Sequence, residues 1–244
     1  MSETIIAVIP IRGSDDEFKD GPLALLGGRP LIEYTLLAAK EAERLDRVIV
    51  STDTEAIAQA CRAYGADVPF LRPERLSGSS STGTDVLRHC VEWLAQHEDY
   101  HPDWVVKLEI THPFRPRGMI DLVIETALAT GVDSAFLAYE ERHSYWTLDA
   151  QGRPLQVGQD VDVPRKIRKP FYRDVSGLAA ITRAANLTAG KLYGERVGLI
   201  PWRDVSALVD THEGSCGPDR AHQGFQLAEC LAPEFNKTSP SATP

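Results

Sequence analysis

Cysteine is scarce: four of the 244 residues. Cys61, Cys90, Cys216 and Cys230 form no Cys-x-x-Cys pair, and no His pair sits at zinc spacing. That excludes a zinc ribbon, a dithiol redox centre and a disulfide scaffold. The four are expected to be reduced, with Cys61 and Cys90 on buried helix faces. Basic residues are in the minority, 26 Lys plus Arg against 35 Asp plus Glu, a net charge of −9. Such a balance argues against a nucleic-acid partner. It leaves room for a site that takes one anionic small molecule. No window approaches the ~20 apolar residues of a membrane span. The start, Met-Ser-Glu-Thr, has no basic segment before Ile5, which argues against a secretory leader and for a cytoplasmic protein. Hydrophobic residues at 43% and charged residues at 25% exclude disorder of the whole chain.

What is present is an alternation of short apolar runs and helical periodicities. Ile5–Ile9, closed by Pro10, reads as a strand buried on both faces. A loop from Arg12 to Gly28 leads to a helix over Leu31–Leu45, with Leu31, Ile32, Leu36 and Ala39 on one stripe. Arg47–Ser51 is a strand. Thr54–Tyr64 is a helix with Thr52 or Thr54 as its cap and Gly65 at its end. A third strand is expected at Asp67–Leu71, then a helix over Thr84–His97, a strand over Trp104–Ile110, a helix over Met119–Ala129 and a strand over Asp133–Ala138. Tyr145–Val157 has the pattern of a hairpin turning at Gln151-Gly152. Gly177–Ile181 and Val197–Pro201 read as strands and Gln223–Leu231 as a closing helix. The alternation implies βαβ units: a Rossmann-like, mostly parallel α/β sheet with helices on both faces. One domain is expected over residues 1–231, with a tail rich in Pro, Ser and Thr over 232–244.

Ligands of such sheets bind at the carboxyl ends of the strands. The loops there are Arg12–Gly28, Ser51–Thr54, Arg72–Asp85, Glu109–Arg115 and the region around Asp210. Their residues resemble a known family. Ile9-Pro10-Ile11-Arg12-Gly13 followed by Gly28-Arg29-Pro30-Leu31-Ile32 is similar to the opening of the CMP-acidic-sugar synthetases. These cytidylyltransferases activate N-acylneuraminate, related nonulosonic acids and 3-deoxy-manno-octulosonate. Ser51–Ile57, Tyr64-Gly65-Ala66 and Val68–Pro73 continue the resemblance. Leu108–Arg115 resembles the family's Leu-Gln-Pro-Thr-Ser-Pro-Leu-Arg, and Val209-Asp210-Thr211 with Phe225–Glu229 its closing segment and helix.

The resemblance implies transfer of CMP from CTP to a small anionic acceptor, with pyrophosphate released and Mg²⁺ clamping the phosphates. It places Ile11, Arg12, Gly13, Arg72, Thr82 and Glu109 around the nucleotide, and Asp210 as a metal ligand. Gly13 would let backbone N–H groups approach phosphate. Thr82 has a second reading as the cap of the following helix. Asp53 could position the loop after Arg12 or cap the next helix.

Departures from the family are equally informative. The loop after Arg12 carries four acids between Asp15 and Asp20, and Gly21 stands at the family's catalytic lysine. Lys19 is the nearby ammonium and is expected to join Arg12 in the catalytic role. Leu208 replaces one expected metal Asp, Thr111 another, and Glu109 replaces a Gln. Val175-Ser176-Gly177 stands where the family has Pro-Asn-Gly. Arg165, Lys166, Arg168, Lys169 and Arg173 put five cations into nine residues. That cluster reads either as a solvated face paired with Asp160, Asp162 and Asp174, or, with Arg115, as a clamp on the acceptor. Arginine forks suit carboxylates and phosphonates, so a small phosphonate is one candidate acceptor. The stretch 139–175 lies where the family extends a hairpin to a second subunit, so a homodimer is expected. Two other classes stand beside this one: a catalytically weak nucleotide-binding relative, and a nucleotidyltransferase of the same fold using another nucleotide.

Overall fold

Ile5–Ile11 forms β1, and its period-two alternation organises the molecule. Ile5, Ala7, Ile9 and Ile11 point into one apolar cluster, while Ile6 and Val8 point into another on the opposite face. The chain, seen here in a computed structural model, is described over residues 3–13, 21–78, 80–158, 162–203, 211 and 223–238. After β1 come a small antiparallel pair, β2 (Leu25–Leu26) and β3 (Arg29–Pro30), then α1 (Leu31–Glu41), β4 (Arg47–Thr52) and α2 (Glu55–Ala63). Next are α3 (Gly83–Glu98), β5 (Trp104–Lys107), α4 (Met119–Thr130) and β6 (Ser134–Glu141). A hairpin of β7 (Tyr145–Leu148) and β8 (Pro154–Val157) follows, then β9 (Phe171–Asp174), β10 (Ala180–Arg183), α5 (Ala184–Thr188), β11 (Val197–Trp202) and α6 (Gln223–Thr238).

The central sheet runs β11-β6-β10-β5-β1-β4, and β9 pairs with the far end of β6. β1 is parallel to β4 and β5, and β11 to β6, whereas β10 is antiparallel to both its neighbours. Helices α1, α2, α4 and α6 cover one face and α3 and α5 the other. This is the expected Rossmann-like sheet with helices on both faces, with one reversed strand at its centre. Cys61 and Cys90 are fully buried on α2 and α3, and burial pushes both thiols up to about 12. They act as small apolar side chains.

Several boundaries differ from the sequence reading; β5 ends at Lys107 instead of Ile110, β10 spans Ala180–Arg183 instead of Gly177–Ile181, and β6 runs on to Glu141 instead of Ala138. No strand forms over Asp67–Leu71: only isolated bridges join Asp67 to Ile49 and Leu71 to Thr52, because Pro69 cannot donate to a ladder. The first helix stops at Glu41 instead of Leu45, because the backbone N–H groups of Glu43 and Arg44 go to the Asp121 carboxylate at 3.1 and 3.0 Å. The basic segment contains a strand, β9, that pairs residue by residue with 138–141 of β6. The closing helix does not end at Leu231. It continues through Pro233, whose ring faces solvent, as far as Thr238. Ala232 is fully buried, and Phe235 packs at 5.0 Å centroid distance from Phe114 and 6.1 Å from Tyr34. Residues 232–238 are thus part of the folded body. The hairpin over Tyr145–Val157 forms as expected, with Gly152 at φ +75° in its turn.

The end of α6 supplies a test. Deleting residues 232–244, or substituting Phe235→Ala, removes aromatic packing against Phe114 and Tyr34 and should lower the unfolding free energy by about 2 kcal/mol or more in urea titration. A dispensable tail would leave the transition midpoint unchanged.

Candidate active site

β1 sits between β4 and β5. The connection β1-α1-β4 crosses one face of the sheet, while α3, which leads to β5, lies on the other. The chain parts in opposite directions at the carboxyl end of β1, and a crevice opens there. It is a cleft of about 290 Å³. Pro10 and Arg12 line it from the end of β1, and Arg72 and Leu76 from the segment after α2. Ser81, Thr82 and Gly83 line it from the start of α3, and Glu109, Ile110 and Thr111 from the loop after β5. Of the nucleotide residues expected from sequence, Arg12, Arg72, Thr82 and Glu109 therefore meet in one cavity.

Their roles differ. Arg72 is buried, and its guanidinium donates to the carbonyls of Ile11 at 2.8 Å and of Ser51, and to Ser51 Oγ at 3.2 Å. It clasps the carboxyl ends of β1 and β4 and forms part of the cleft wall. The Ile11 side chain is 1% exposed and packs in the core, so Ile11 contributes its carbonyl to Arg72 and no cleft surface. Gly13 does not offer its N–H to a ligand: it donates to Asp53 Oδ1 at 2.7 Å. A Cβ there would collide with Thr54, so the glycine serves close approach of two loops. Asp53 is a loop-positioning residue, and Thr54, the N-cap of α2, makes no side-chain cap hydrogen bond. Thr82 caps α3 in a reciprocal box with Asp85. Thr82 Oγ1 accepts from the Asp85 N–H at 3.2 Å, and the Asp85 carboxylate accepts from the Thr82 N–H at 3.1 Å. The hydrogen bonds from Thr82 hold the Asp85 carboxyl below its usual range. The first turn of a sixteen-residue helix thus opens into the cleft, where its N–H groups and dipole favour an anion.

Glu109 is held by a residue that motif matching passed over. Lys107 Nζ lies 2.6 Å from Glu109 Oε1, with the lysine side chain only 12% exposed. Burial pushes the Glu109 carboxyl up, but Lys107, His112 and Arg115 outweigh it, and the group ends below the ordinary carboxylate range. His112 is buried, its Nδ1 3.0 Å from Thr111 Oγ1. The bare Cα of Gly177 lies against both groups: a Cβ there would sit 2.6 Å from His112 Nδ1 and 2.7 Å from Glu109 Oε2. Beyond Gly177, the Ser176 N–H donates to Asp174 Oδ1 at 2.6 Å and Tyr193 Oη to Asp174 Oδ2 at 3.0 Å. Burial pushes the Tyr193 hydroxyl up, and the Asp174 and Glu109 charges add to that. A period-two pattern could have found Lys107, since residues 105, 107 and 109 share a face of an extended chain. Nothing in the local sequence announces the others.

The acceptor residues expected from sequence do not gather here. Arg115 is 3% exposed and donates to the carbonyls of Leu178 at 2.5 Å, Gly177 at 2.7 Å and Glu109, and to Thr35 Oγ1 at 2.7 Å. Burial pushes its pKa down to about 9. It is a buried clasp whose hydrogen bonds go to backbone and Thr35. Arg165, Lys166, Arg168, Lys169 and Arg173 do not line the cleft. Arg165 donates to His143 Nε2 at 2.6 Å, Arg168 to the Val163 carbonyl at 2.9 Å and Ser144 Oγ at 2.8 Å, and Arg173 to Glu141 Oε1 at 3.1 Å. Within one chain the segment is thus tied to the β6–β7 region. Lys19 and Asp210 lie outside the described residues. Thr211, next to Asp210, donates its N–H to the carbonyl of cleft-lining Thr111 at 2.8 Å. Among the described residues no three His, Cys, Asp or Glu side chains gather to hold a metal ion.

Residues 6–165 match the Cytidylyltransferase family. The chain belongs to that family. It is a nucleotidyltransferase by descent. CMP-N,N'-diacetyllegionaminic acid synthase of Legionella pneumophila is 30% identical over 213 residues, 84% of this chain and 90% of that one. N-acylneuraminate cytidylyltransferase of Streptococcus agalactiae is 31% identical over 219 residues, 85% of this chain and 51% of that longer protein. Among solved structures, CMP:2-keto-3-deoxy-manno-octonic acid synthetase complexed with CTP superposes with a TM-score of 0.66. It covers 95% of this cytidylyltransferase and 100% of the other chain, and at 16% identity it speaks for the fold.

Arg115 provides the test of this site's frame. Arg115→Met leaves the Glu109, Gly177 and Leu178 carbonyls without their donor and should cost about 3 kcal/mol of unfolding free energy by chemical denaturation. A loss of acceptor binding at unchanged stability would instead return Arg115 to the acceptor.

Proposed function

We propose that this enzyme transfers CMP from CTP to a hydroxyl of an acidic acceptor and releases pyrophosphate. The observation that carries the reading is the cleft in which Arg12, the N-terminus of α3 and Glu109 meet, at the carboxyl end of β1, in a chain of the cytidylyltransferase family. The acceptor hydroxyl oxygen attacks the α-phosphorus, its proton passes to solvent, and the bond from that phosphorus to the departing pyrophosphate oxygen breaks. Arg12 and the helix dipole offset the charge that develops on the phosphates. Lys19, from the loop after Arg12, supplies the ammonium that Gly21 lacks. A divalent cation such as Mg²⁺, when bound, would neutralise triphosphate charge, with Asp210 as its candidate protein ligand. The acceptor is a sugar acid of the class that the relatives' names specify. A phosphonate is the second reading, drawn from the sequence's run of five cations between Arg165 and Arg173, which do not line the cleft within one chain. The enzyme works in the cytoplasm. No described helix is long and apolar enough to cross a membrane.

Pyrophosphate release with CTP, UTP, ATP and GTP against N,N'-diacetyllegionaminic acid, N-acylneuraminate, 3-deoxy-manno-octulosonate and small phosphonates checks this. Release is expected with CTP, with a sugar acid and with Mg²⁺. It should fall at least 10-fold in Lys19→Ala and Asp210→Asn. Release with another nucleotide only, or turnover unchanged in Lys19→Ala, contradicts the respective assignment.

The enzyme is a homodimer in this proposal. Trp146 and Leu148, on one face of the β7–β8 hairpin, are 57% and 67% exposed, an apolar pair suited to a second copy. Light scattering at micromolar concentration should give about twice 26.9 kDa, and Trp146→Asp with Leu148→Asp should give one chain mass. One chain mass for the unaltered protein would overturn the dimer.

A further inference from the structure

Lys107 is the unexplained charge of this site. It lies on β5, hydrogen-bonded between β1 and β10 opposite Val8 and Ala180. The residues on its face of the sheet, Ile6, Val8 and Val105, are fully buried apolar ones. A solvated lysine has no reason to occupy a central strand among them, and an ammonium so enclosed requires a partner. The partner is one oxygen of Glu109, at 2.6 Å. The other oxygen, Oε2, faces the bare Cα of Gly177. Glu109 therefore spans a boundary. On one side is the nucleotide cleft with Arg12 and Thr82. On the other, past Gly177, lie Ser176, Asp174 and Tyr193, a polar group joined by its own hydrogen bonds. A free carboxylate at that boundary could rotate toward Arg12 or toward the acceptor side. One tethered through Oε1 by a lysine on a rigid central strand cannot, and its Oε2 is left on the Gly177 side, near the His112 ring.

We propose that Lys107 is a positioning residue that locks Glu109 so that Oε2 accepts a hydrogen bond from the acceptor hydroxyl that attacks the nucleotide. The inference rests on the reading of function above and deepens it. It assigns the recognition of a hydroxyl to Glu109, with Lys107 acting through it. Lys107 keeps the negative charge from repelling the triphosphate, because the pair is neutral as a unit.

The test uses the acceptor that gives the most pyrophosphate in the panel, with Lys107→Met, Lys107→Arg, Glu109→Gln and the Lys107→Met/Glu109→Gln double variant. Lys107→Met should raise the acceptor KM or lower kcat at least 10-fold and shift the KM for CTP less than threefold. Lys107→Arg keeps the charge and should stay within about threefold of the unaltered enzyme. In the double variant the lysine has nothing left to orient, so its loss should add less than threefold to that of Glu109→Gln. Should Lys107→Met not fold, judged by circular dichroism, Lys107→Arg and Glu109→Gln carry the test: near-normal kinetics in the first and a selective acceptor defect in the second. Multiplying defects in the double variant, equal effects on CTP and acceptor, or unchanged kinetics in Lys107→Met would overturn this proposal alone. Silence of the unaltered enzyme with every acceptor would overturn the reading of function and this proposal with it.

Discussion

A parallel strand ends with carbonyl oxygens that have no further ladder to join, and at the crevice of an α/β sheet those ends lie close to where the ligand must sit. This enzyme satisfies them with two buried arginines. Arg72 binds the carbonyls of Ile11 and Ser51, at the ends of β1 and β4. Arg115 binds those of Glu109, Gly177 and Leu178, beyond the ends of β5 and before β10. One guanidinium offers five donors in a rigid plane, which is why a single side chain can hold several carbonyls at fixed spacing. Every element that contributes to the cleft is anchored through one of these two forks or through the cap of α3.

The arrangement explains how an acidic chain can hold anions. The two structural arginines bring positive charge close to the cleft while their hydrogen bonds are spent on backbone. Arg12 and the first turn of α3 supply donors directly at the cavity. Glu109, the one carboxylate among the described residues that line it, is counterbalanced by Lys107. Net charge is therefore a poor guide to this site. The local field depends on a handful of groups in a partly desolvated cleft, where charges interact more strongly than across the solvated surface.

The far side of the cleft is built from the second half of the chain, where β9 and β10 run antiparallel against β6. Reversal of β10 inserts the Val175–Ala179 connection next to the end of β5, so that Gly177 meets Glu109 and His112. A regular doubly wound sheet would have left helix connections there. The reversed strand thus provides a second wall, and α6, clasped over Tyr34 and Phe114, holds the first from behind.

Periodicity and spacing carried the fold a long way. Buried runs such as Ile5–Ile11 and amphipathic stretches such as Gly83–Glu98 announce their state locally, because backbone sterics and burial act over a few residues. Arg12, Arg72, Thr82 and Glu109 were legible as members of one site, because the carboxyl ends of a parallel sheet necessarily lie together. Their division of labour was not. Whether Arg72 and Arg115 meet a ligand or a carbonyl, whether Gly13 offers its N–H, and whether the cations of 165–173 reach the cleft depend on contacts between residues tens of positions apart. The end of α6 was misread for the same reason: Pro233 is a local stop signal, overruled by burial of Ala232 and Phe235 against distant aromatics. The sequence by itself determined most of the strands and helices and the edge of the sheet where the cleft opens. Only the tertiary structure decided which charges are spent on the backbone and which face the substrate, because hydrogen-bond satisfaction is a property of the packed whole.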